Sequence, residues 1–268
     1  MADKQIVINC ALDSRPRYGY GSPPHKRLNE LLGKRREVFR FWLGKFLDCY
    51  DLFENIAPVL DEGNLRPAWH NNWISGFDLI SLCGLINHNR PRNYIEIGSG
   101  NTTKFARETI QHYMIRTRIT SIDPQPRATI DRLCDTVIRE RLEDVDLQIF
   151  QELYAGDIVF MDGSHHTLMN SDASVFFLDI LPNLPPGVFV GIHDIFWPDD
   201  YPPDWSSRYY SEQYLLAAYL LAEGSSLEVV LANNYIAQDR ELSSVLNPLW
   251  VLLPWVTRHG AAFWMIKR

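Results

Sequence analysis

The spacing of apolar residues changes at Pro91. Before that proline, apolar residues between positions 27 and 59 recur three or four apart, which predicts one long amphipathic helix or two shorter ones. A further helix is predicted over residues 73–87. Residues 1–26 are polar and loop-like, so we expect a polar arm followed by a helical extension.

After Pro91, short apolar runs of strand length alternate with segments of helical period. The predicted strands cover residues 94–97, 118–122, 157–161, 188–192, 227–231 and 262–266, with a weaker helix and strand within 128–140. The predicted helices cover residues 101–113, 143–153, 167–181 and 209–222. Strands alternating with helices indicate βαβ units and a mostly parallel sheet. We therefore expect an α/β protein with an arm over 1–26, a helical extension over 27–90 and a sheet domain over 91–268.

The composition is that of a folded protein without nucleic-acid or membrane partners. Hydrophobic residues make up 46% of the chain, which is enough to offset the entropy cost of folding and excludes disorder. The 26 basic and 33 acidic residues give a formal charge of −7, which repels a phosphate backbone. No apolar run approaches about 18 residues, so we expect no membrane-spanning helix.

The cysteine pattern predicts a cytoplasmic protein. Cys10, Cys49, Cys83 and Cys134 are far apart and form no CxxC pair, so neither a disulfide framework nor a cysteine zinc site is expected. The N-terminal residues also lack a basic start followed by an apolar run, which is the pattern of a secretory signal.

Polar and glycine residues lie at the carboxyl ends of four of the predicted strands. They are Glu96 with Gly98 and Gly100, then Asp123, then Asp162, and finally His193 with Asp194. In an open parallel sheet, ligands bind at the carboxyl ends of the strands, where the strand order reverses. We therefore expect these residues to meet in one site.

The turn Gly98-Ser99-Gly100 would let a ligand approach the backbone, although a tight strand-to-helix turn would use the same glycines. A dinucleotide fingerprint needs Gly or Ala at position 103, where this chain has Thr103. No Gly-Lys-Ser/Thr follows, so a P-loop is also disfavoured. Both NAD and ATP are therefore less favoured as the ligand of this turn.

Asp123 follows the second strand, where a carboxylate can accept hydrogen bonds from both hydroxyls of a ribose. A loop aspartate before Pro124 is the alternative interpretation. Glu143 or Asp144 could meet the adenine or its ribose, and a solvated helix start explains them equally well.

Four segments resemble the successive motifs of class I S-adenosylmethionine-dependent methyltransferases. They are YIEIGSG (94–100), ID (122–123), FMDGSHH (160–166) and GIHD (191–194). The last two, with the Pro-Gly turn between them, are similar to a bacterial branch that includes O-methyltransferases of sugars and antibiotic precursors. The resemblance implies a Rossmann-like sheet of seven strands, mostly parallel, with an antiparallel strand near the end. It also implies S-adenosylmethionine as the cofactor.

The same resemblance assigns roles to individual residues. Glu96 would serve the amino group of the cofactor, the turn Gly98-Ser99-Gly100 would line its methionine part, and Asp123 would hold its ribose. From their positions after the third and fourth strands, Glu143 would lie near the adenosine and Asp162 beside the sulfonium.

Asp162, His165, His193 and Asp194 are the predicted catalytic residues. Methyl transfer requires an aligned nucleophile, exclusion of water and removal of a proton, and a His or Asp at these strand ends could act as the base. His166 is a weaker choice than His165. Asp162 and Asp194 could instead bind Mg²⁺ or another divalent cation, although His193 stands where metal-binding relatives tend to have another Asp. Capping and packing roles for the histidines remain open.

Two aromatic segments have two interpretations each. Residues 196–205 combine aromatic rings, carboxylates and prolines, which suits either a wall for a polyhydroxylated substrate or an ordered loop packed on the N-terminal helices. Residues 69–73 could close over the cofactor or simply begin a helix. The aromatic stripe from Phe39 to Phe53 is predicted as core or as a subunit contact of a homo-oligomer.

The sequence thus favours a methyltransferase that acts on an oxygen of a small hydroxylated acceptor, such as a sugar, a glycoside or a secondary metabolite. A non-catalytic relative that binds the cofactor is the first alternative, and a nicotinamide-dependent oxidoreductase is the second. A metal hydrolase ranks last, because the sequence contains neither HxH nor HExxH.

Overall fold

A seven-stranded sheet forms the centre of the molecule. The computed structural model describes residues 13–61, 63–126, 128–222 and 226–268. The strands are β1 (Asn93–Ile97), β2 (Arg118–Ile122), β3 (Thr136–Ile138), β4 (Ile158–Met161), β5 (Phe189–Ile192), β6 (Leu227–Ala232) and β7 (Phe263–Lys267). Their order is β3-β2-β1-β4-β5-β7-β6; β1 to β5 pair in parallel, and β7 is antiparallel to both neighbours. This confirms the predicted α/β fold, including an antiparallel strand near the end.

Between residues 26 and 54 the chain forms three α-helices, whereas the sequence predicted one long helix or two shorter ones over residues 27–59. Among the described residues the α-helices are α1 (Lys26–Gly33), α2 (Arg36–Phe46), α3 (Tyr50–Glu54), α4 (Gly76–Asn89), α5 (Asn101–His112), α6 (Gln148–Gln151), α7 (Asp172–Val175), α8 (Glu212–Leu221), α9 (Asn233–Gln238), α10 (Arg240–Ser244) and α11 (Asn247–Leu252). Arg35, in the turn between α1 and α2, donates to the carbonyl oxygen of Val229 at 2.9 Å and pairs with Glu228 at 2.5 Å. The chain therefore bends where it attaches to the edge strand β6.

The helix predicted over residues 167–181 is also only partly right, since it begins at Asp172 and continues through a π-helical turn (Phe176–Ile180) into a 3₁₀ turn (Leu181–Asn183). The carboxylate of Asp172 accepts hydrogen bonds from the backbone N–H and the hydroxyl of Ser164, at 2.6 and 2.5 Å. Residues 164–171 therefore remain a loop, which holds His165 outside any helix. The helix predicted over 143–153 shrinks to α6 and a preceding 3₁₀ turn for a similar local reason: Asp146 accepts from the N–H of Gln148.

The N-terminal helices share one hydrophobic core with the sheet. Phe39, Phe46 and Phe53 are fully buried in it, so the aromatic stripe belongs to the core. A Cβ at Gly84 of α4 would lie 2.1 Å from the ring of Phe46, which shows how closely α2 and α4 pack. The arm is attached as well, because the backbone N–H groups of Arg17 and Tyr18 donate to the carboxylate of Asp200.

The remaining general expectations concern cysteines and membranes. Cys49, Cys83 and Cys134 are free thiols, while Cys10 lies outside the described residues. In the part of the chain that the structure describes, every helix is too short or too polar to cross a bilayer.

Asp157 connects the first and fourth strands at the end of the sheet opposite the strand ends that carry the predicted site. Its buried carboxylate accepts hydrogen bonds from the backbone N–H groups of Arg92 and Asn93, both at 2.8 Å, and of Tyr154 at 3.0 Å. We predict that Asp157→Asn lowers the free energy of unfolding by roughly 1–3 kcal/mol, because an amide nitrogen cannot accept these bonds. Urea unfolding measures the loss, and the exposed Glu140→Gln is the control; equal effects of the two would contradict the assignment.

Candidate active site

A cavity of about 720 Å³ opens at the carboxyl ends of β1, β2 and β4. Because β2 and β4 flank β1 on opposite sides, this is the position where the strand order reverses. The wall consists of the turn after β1, the loops after β2 and β4, the segment around Glu143, and residues between 60 and 74. The structure therefore brings most of the predicted strand-end residues to one cavity.

The glycine turn is shaped by close contact with β4. Gly98 has φ +78°, and a Cβ there would lie 1.9 Å from the carbonyl oxygen of Asp162. A larger residue cannot occupy this position without moving the backbone. Gly100 also lines the cavity, and a Cβ there would meet no described atom within 4 Å, so the backbone is open to a ligand.

Glu96 does not line the cavity, unlike the other predicted cofactor residues. It is fully buried below the turn, where its carboxylate accepts hydrogen bonds from the hydroxyls of Tyr94 (2.8 Å) and Thr103. Burial raises the pKa of Glu96 to about 7, although hydrogen bonds from Thr102, Thr103 and Tyr94 oppose the rise. The Oγ1 of Thr103 in turn accepts from the N–H of Gly100 at 3.1 Å. Glu96 therefore supports the turn from behind, and Thr103 has a structural function at this position.

Asp123 lines the cavity and also holds the turn. Its Oδ2 accepts from the backbone N–H of Ser99 at 2.8 Å, and its Oδ1 accepts from that of Gln125 at 2.8 Å. Of the two acidic residues considered after the third strand, Glu143 lines the cavity, whereas Asp144 pairs with Arg141 at 2.7 Å.

The four predicted catalytic residues form one cluster. The Nδ1 of His193 lies 3.1 Å from Oδ1 of Asp162 and 3.3 Å from Oδ1 of Asp194. The Nε2 of His165 lies 3.5 Å from each of the same two carboxylates. Asp162 and His165 line the cavity, while His193 and Asp194 are buried behind them. One donor atom each from Asp162, His165 and Asp194 lies within 4.8 Å of the others, which is compact enough for a cation.

Two buried carboxylates complete the cluster, and neither was found by sequence reasoning. Glu212 faces Nδ1 of His165 at 2.5 Å, and Asp78 faces Nε2 of His193 at 3.4 Å. Asp78 is an acidic residue within an apolar helix, a signal that could have been noticed. Glu212 starts a helix, where acidic residues are common, so the sequence carries no comparable signal.

The carboxylates raise the pKa of both imidazoles. Burial lowers the pKa of His165, but Glu212, Asp194 and Asp162 outweigh it and raise the pKa to about 9. Burial also opposes the rise at His193, where Asp194, Asp162 and Asp78 raise the pKa well above its usual value. Burial raises the pKa of Asp194 despite the two nearby imidazoles. The cluster therefore alternates carboxylates with imidazoles whose protonated form the carboxylates favour.

The other candidate segments divide between site and core. Residues 70–74 line the cavity, whereas Trp69 packs between Phe53 and Phe105. Residues 196–201 are buried and do not line it; Trp197 packs against His25 and Tyr214 instead. Residues 196–201 thus form an ordered loop packed on the N-terminal arm and α8, which favours the packing interpretation over the substrate wall for this part of residues 196–205. His166 is half-buried, and its Nε2 donates to the carbonyl oxygen of Arg208 at 2.9 Å.

The strand order, the antiparallel β7 and the cavity at the reversal point define the class I methyltransferase architecture implied by the sequence motifs. Residues 95–195, which span β1 to β5, match the family model described as a methyltransferase domain. Residues 95–195 therefore form a methyltransferase domain, and the cofactor of the enzyme is S-adenosylmethionine. None of the curated proteins matches the sequence.

Solved methyltransferases resemble the chain only distantly. The plantazolicin methyltransferase BpumL, in complex with SAH, is 13% identical with a TM-score of 0.47, covering 90% of this chain and 99% of its own. The Podospora anserina methyltransferase PaMTH1 is 14% identical with a TM-score of 0.45, covering 72% and 79%. The O-methyltransferase from Bacillus cereus is 12% identical with a TM-score of 0.42, covering 75% and 84%. The assignment of a methyltransferase domain rests on the match over residues 95–195 and on the strand order of the sheet.

Asp123→Ala tests the ribose contact. We predict that the affinity for S-adenosylmethionine falls by roughly 1–3 kcal/mol, because the variant loses an acceptor for the ribose and the bond that holds Ser99. Isothermal titration calorimetry measures the change. Asp144→Ala, beside the cavity segment but outside its lining, is the matched control. Unchanged affinity in Asp123→Ala would refute the role of this carboxylate.

Proposed function

We propose that the protein methylates a hydroxyl group of a small-molecule acceptor. One observation carries the proposal: Asp162 and His165 line the same cavity as the glycine turn and Asp123. A cofactor held by the turn therefore shares its space with acid–base groups. Class I methyltransferases as a whole modify many kinds of atom, and it is this adjoining carboxylate–imidazole cluster that favours oxygen.

The cavity fits the cofactor by size and by chemistry. Its volume of about 720 Å³ lies within the range of small-molecule sites. We propose that Gly98, Ser99 and Gly100 hold the methionine part, that Asp123 holds the ribose and that Glu143 lies near the adenosine. Glu96 does not contact the amino group of the cofactor directly; it supports the glycine turn that binds the methionine part. When bound, S-adenosylmethionine would supply an electrophilic methyl group on a positively charged sulfur; the S–CH₃ bond would break as the new bond forms, and the neutral thioether S-adenosylhomocysteine would leave.

Asp162 is the proposed proton acceptor. Its side chain is 31% exposed and reaches the cavity, whereas the nearby carboxylates raise the pKa of both imidazoles and so make them weaker candidates for accepting a proton. As the acceptor oxygen forms its bond to the methyl group, its proton passes to the Asp162 carboxylate. His165 and His193 face Oδ1 of Asp162 and orient it, and Asp194 balances their charge.

The same residues could hold a divalent cation. Asp162, His165 and Asp194 offer two carboxylates and one imidazole, a mixed set that suits a transition metal as well as Mg²⁺. A bound cation would lower the pKa of the acceptor hydroxyl. The proton transfer to Asp162 does not depend on it.

A sugar, a glycoside or a hydroxylated secondary metabolite remains the proposed acceptor. Since residues 196–201 do not reach the cavity, the support shifts to the segment before α4, where Asp61, Asn64 and Trp73 line the wall. The indole of Trp73 is 60% exposed and offers a face for an acceptor ring. The cysteine pattern favours a cytoplasmic enzyme, and a homo-oligomer stays a prediction, although the aromatic stripe that suggested it lies in the core.

Asp162→Asn is predicted to slow methyl transfer by roughly 10²–10⁴-fold, because the amide cannot accept a proton. Formation of S-adenosylhomocysteine over a panel of sugars, glycosides and phenols measures the rate, and calorimetry checks that cofactor binding persists. Glu140→Gln is the control, since Glu140 is exposed and does not line the cavity. Near-normal turnover of Asp162→Asn would remove it from the mechanism; wild-type binding without turnover on every acceptor would favour the non-catalytic alternative.

A further inference from the structure

Glu212 lies behind the cavity and contacts the imidazole of His165, which lines it. The residue is fully buried at the start of α8, and its Oε1 lies 2.5 Å from Nδ1 of His165. We infer that Glu212 is a positioning residue, which fixes the His165 ring so that Nε2 faces Asp162 and Asp194 at the cavity. This inference rests on the proposed function, in which Asp162 accepts the proton.

The surroundings of Glu212 indicate that its contact with His165 is its main interaction. Its second oxygen, Oε2, is buried without a hydrogen bond to any described residue. A buried carboxylate is costly unless it is paired and fully hydrogen-bonded. A buried pair of this kind is often no more stabilising than apolar packing of the same volume, so the Glu212–His165 pair points to a function beyond stability.

The start of α8 also holds the backbone of His165. The N–H groups of Ser211 and Glu212 both donate to the carbonyl oxygen of His165, at 2.9 and 3.3 Å. His165 has φ +62°, a left-handed conformation that is uncommon outside glycine and persists only when the surroundings enforce it. Thus one helix start constrains both the backbone and the ring of this histidine.

The remaining freedom of the ring is removed by packing. Tyr210 lies against His165 with ring centroids 4.4 Å apart and an interplanar angle of 35°. With Nδ1 donating to Glu212 on one side, Nε2 must point to the opposite side, where the Asp162 and Asp194 carboxylates lie at 3.5 Å. Loss of the Glu212 carboxylate would let the ring rotate and would release Asp162 from one of its two imidazole partners.

The test compares Glu212→Gln, whose amide oxygen can still accept from Nδ1, with Glu212→Ala, which cannot. Proton–nitrogen NMR of ¹⁵N-histidine-labelled protein reports the hydrogen-bonded Nδ1–H of His165, assigned by its absence in His165→Asn. We expect this signal in the wild type and in Glu212→Gln, and its loss in Glu212→Ala. An unchanged signal in Glu212→Ala would overturn the inference.

Turnover then separates positioning from a purely structural effect. On an acceptor that the wild type methylates, kcat of Glu212→Ala should fall roughly 10- to 100-fold while KM for S-adenosylmethionine is unchanged; Glu212→Gln should recover most of it. Asp157→Asn is the matched control: it loses a buried carboxylate elsewhere, so it should lose stability but keep kcat and the His165 signal. A full kcat in Glu212→Ala, or an equal loss in Asp157→Asn, would overturn the inference.

The NMR measurement does not require an acceptor. If the wild type binds cofactor but methylates nothing, the proposed function fails, while the His165 signal still decides whether Glu212 positions the ring. Should Glu212→Ala not fold, the decision passes to Glu212→Gln, in which loss of the His165 signal would contradict positioning by this hydrogen bond.

Discussion

The contact between residue 98 and the carbonyl oxygen of Asp162 is the constraint on which the site depends. It joins the end of β1 to the end of β4, at the point in the sheet where the connection after β1 leads toward β2 on one side and the connection after β4 leads toward β5 on the other. A side chain at position 98 would push the ends of the two strands apart. Glycine allows them to lie close together, so the glycine turn and the carboxylate–imidazole cluster share one cavity. Glu96 and Thr103 below the turn, and Asp123 beside it, maintain that arrangement through hydrogen bonds to the backbone and to each other.

The cluster behind the turn is held together by charge compensation. Its carboxylates and imidazoles would each be expensive to bury alone, and only their alternation makes the array tolerable. The two outer carboxylates are far apart in the sequence: Asp78 contacts His193, and Glu212 contacts His165. The arrangement keeps the inner pair, Asp162 and Asp194, next to positive charge, while only Asp162 and His165 reach the cavity.

The sheet and the inner half of the site could be predicted because both follow from local pattern. Short apolar runs marked the strands, and Asp123, Asp162 and His193 stood directly after them, so parallel topology alone brought them together. Glu96 shows the limit of this reasoning: it stands one residue before a strand end, yet its side chain is buried under the turn. The position in the strand fixes the neighbourhood of a residue but not which side of the turn its side chain occupies.

What could not be predicted depends on partners distant in the sequence. Glu212 meets a histidine 47 residues earlier, and nothing near either residue indicates the other. The short helices α9, α10 and α11 have at most six residues each, too few for a helical period to emerge. Residues 196–205 carry the composition of a sugar-binding wall, but composition does not reveal whether aromatic rings face a ligand or a neighbouring helix.

The hydrogen bonds of Asp78 have a consequence for how the enzyme is made. This carboxylate, in the first third of the chain, accepts from the backbone N–H groups of Ala261 and Ala262 just before the last strand. During synthesis the nascent protein therefore lacks the donors that hold Asp78 against His193 until the C-terminal segment has left the ribosome. The Asp78 end of the cluster therefore gains these donors only at the end of synthesis, whereas the pairs His165–Glu212 and His193–Asp162 lie within residues made earlier.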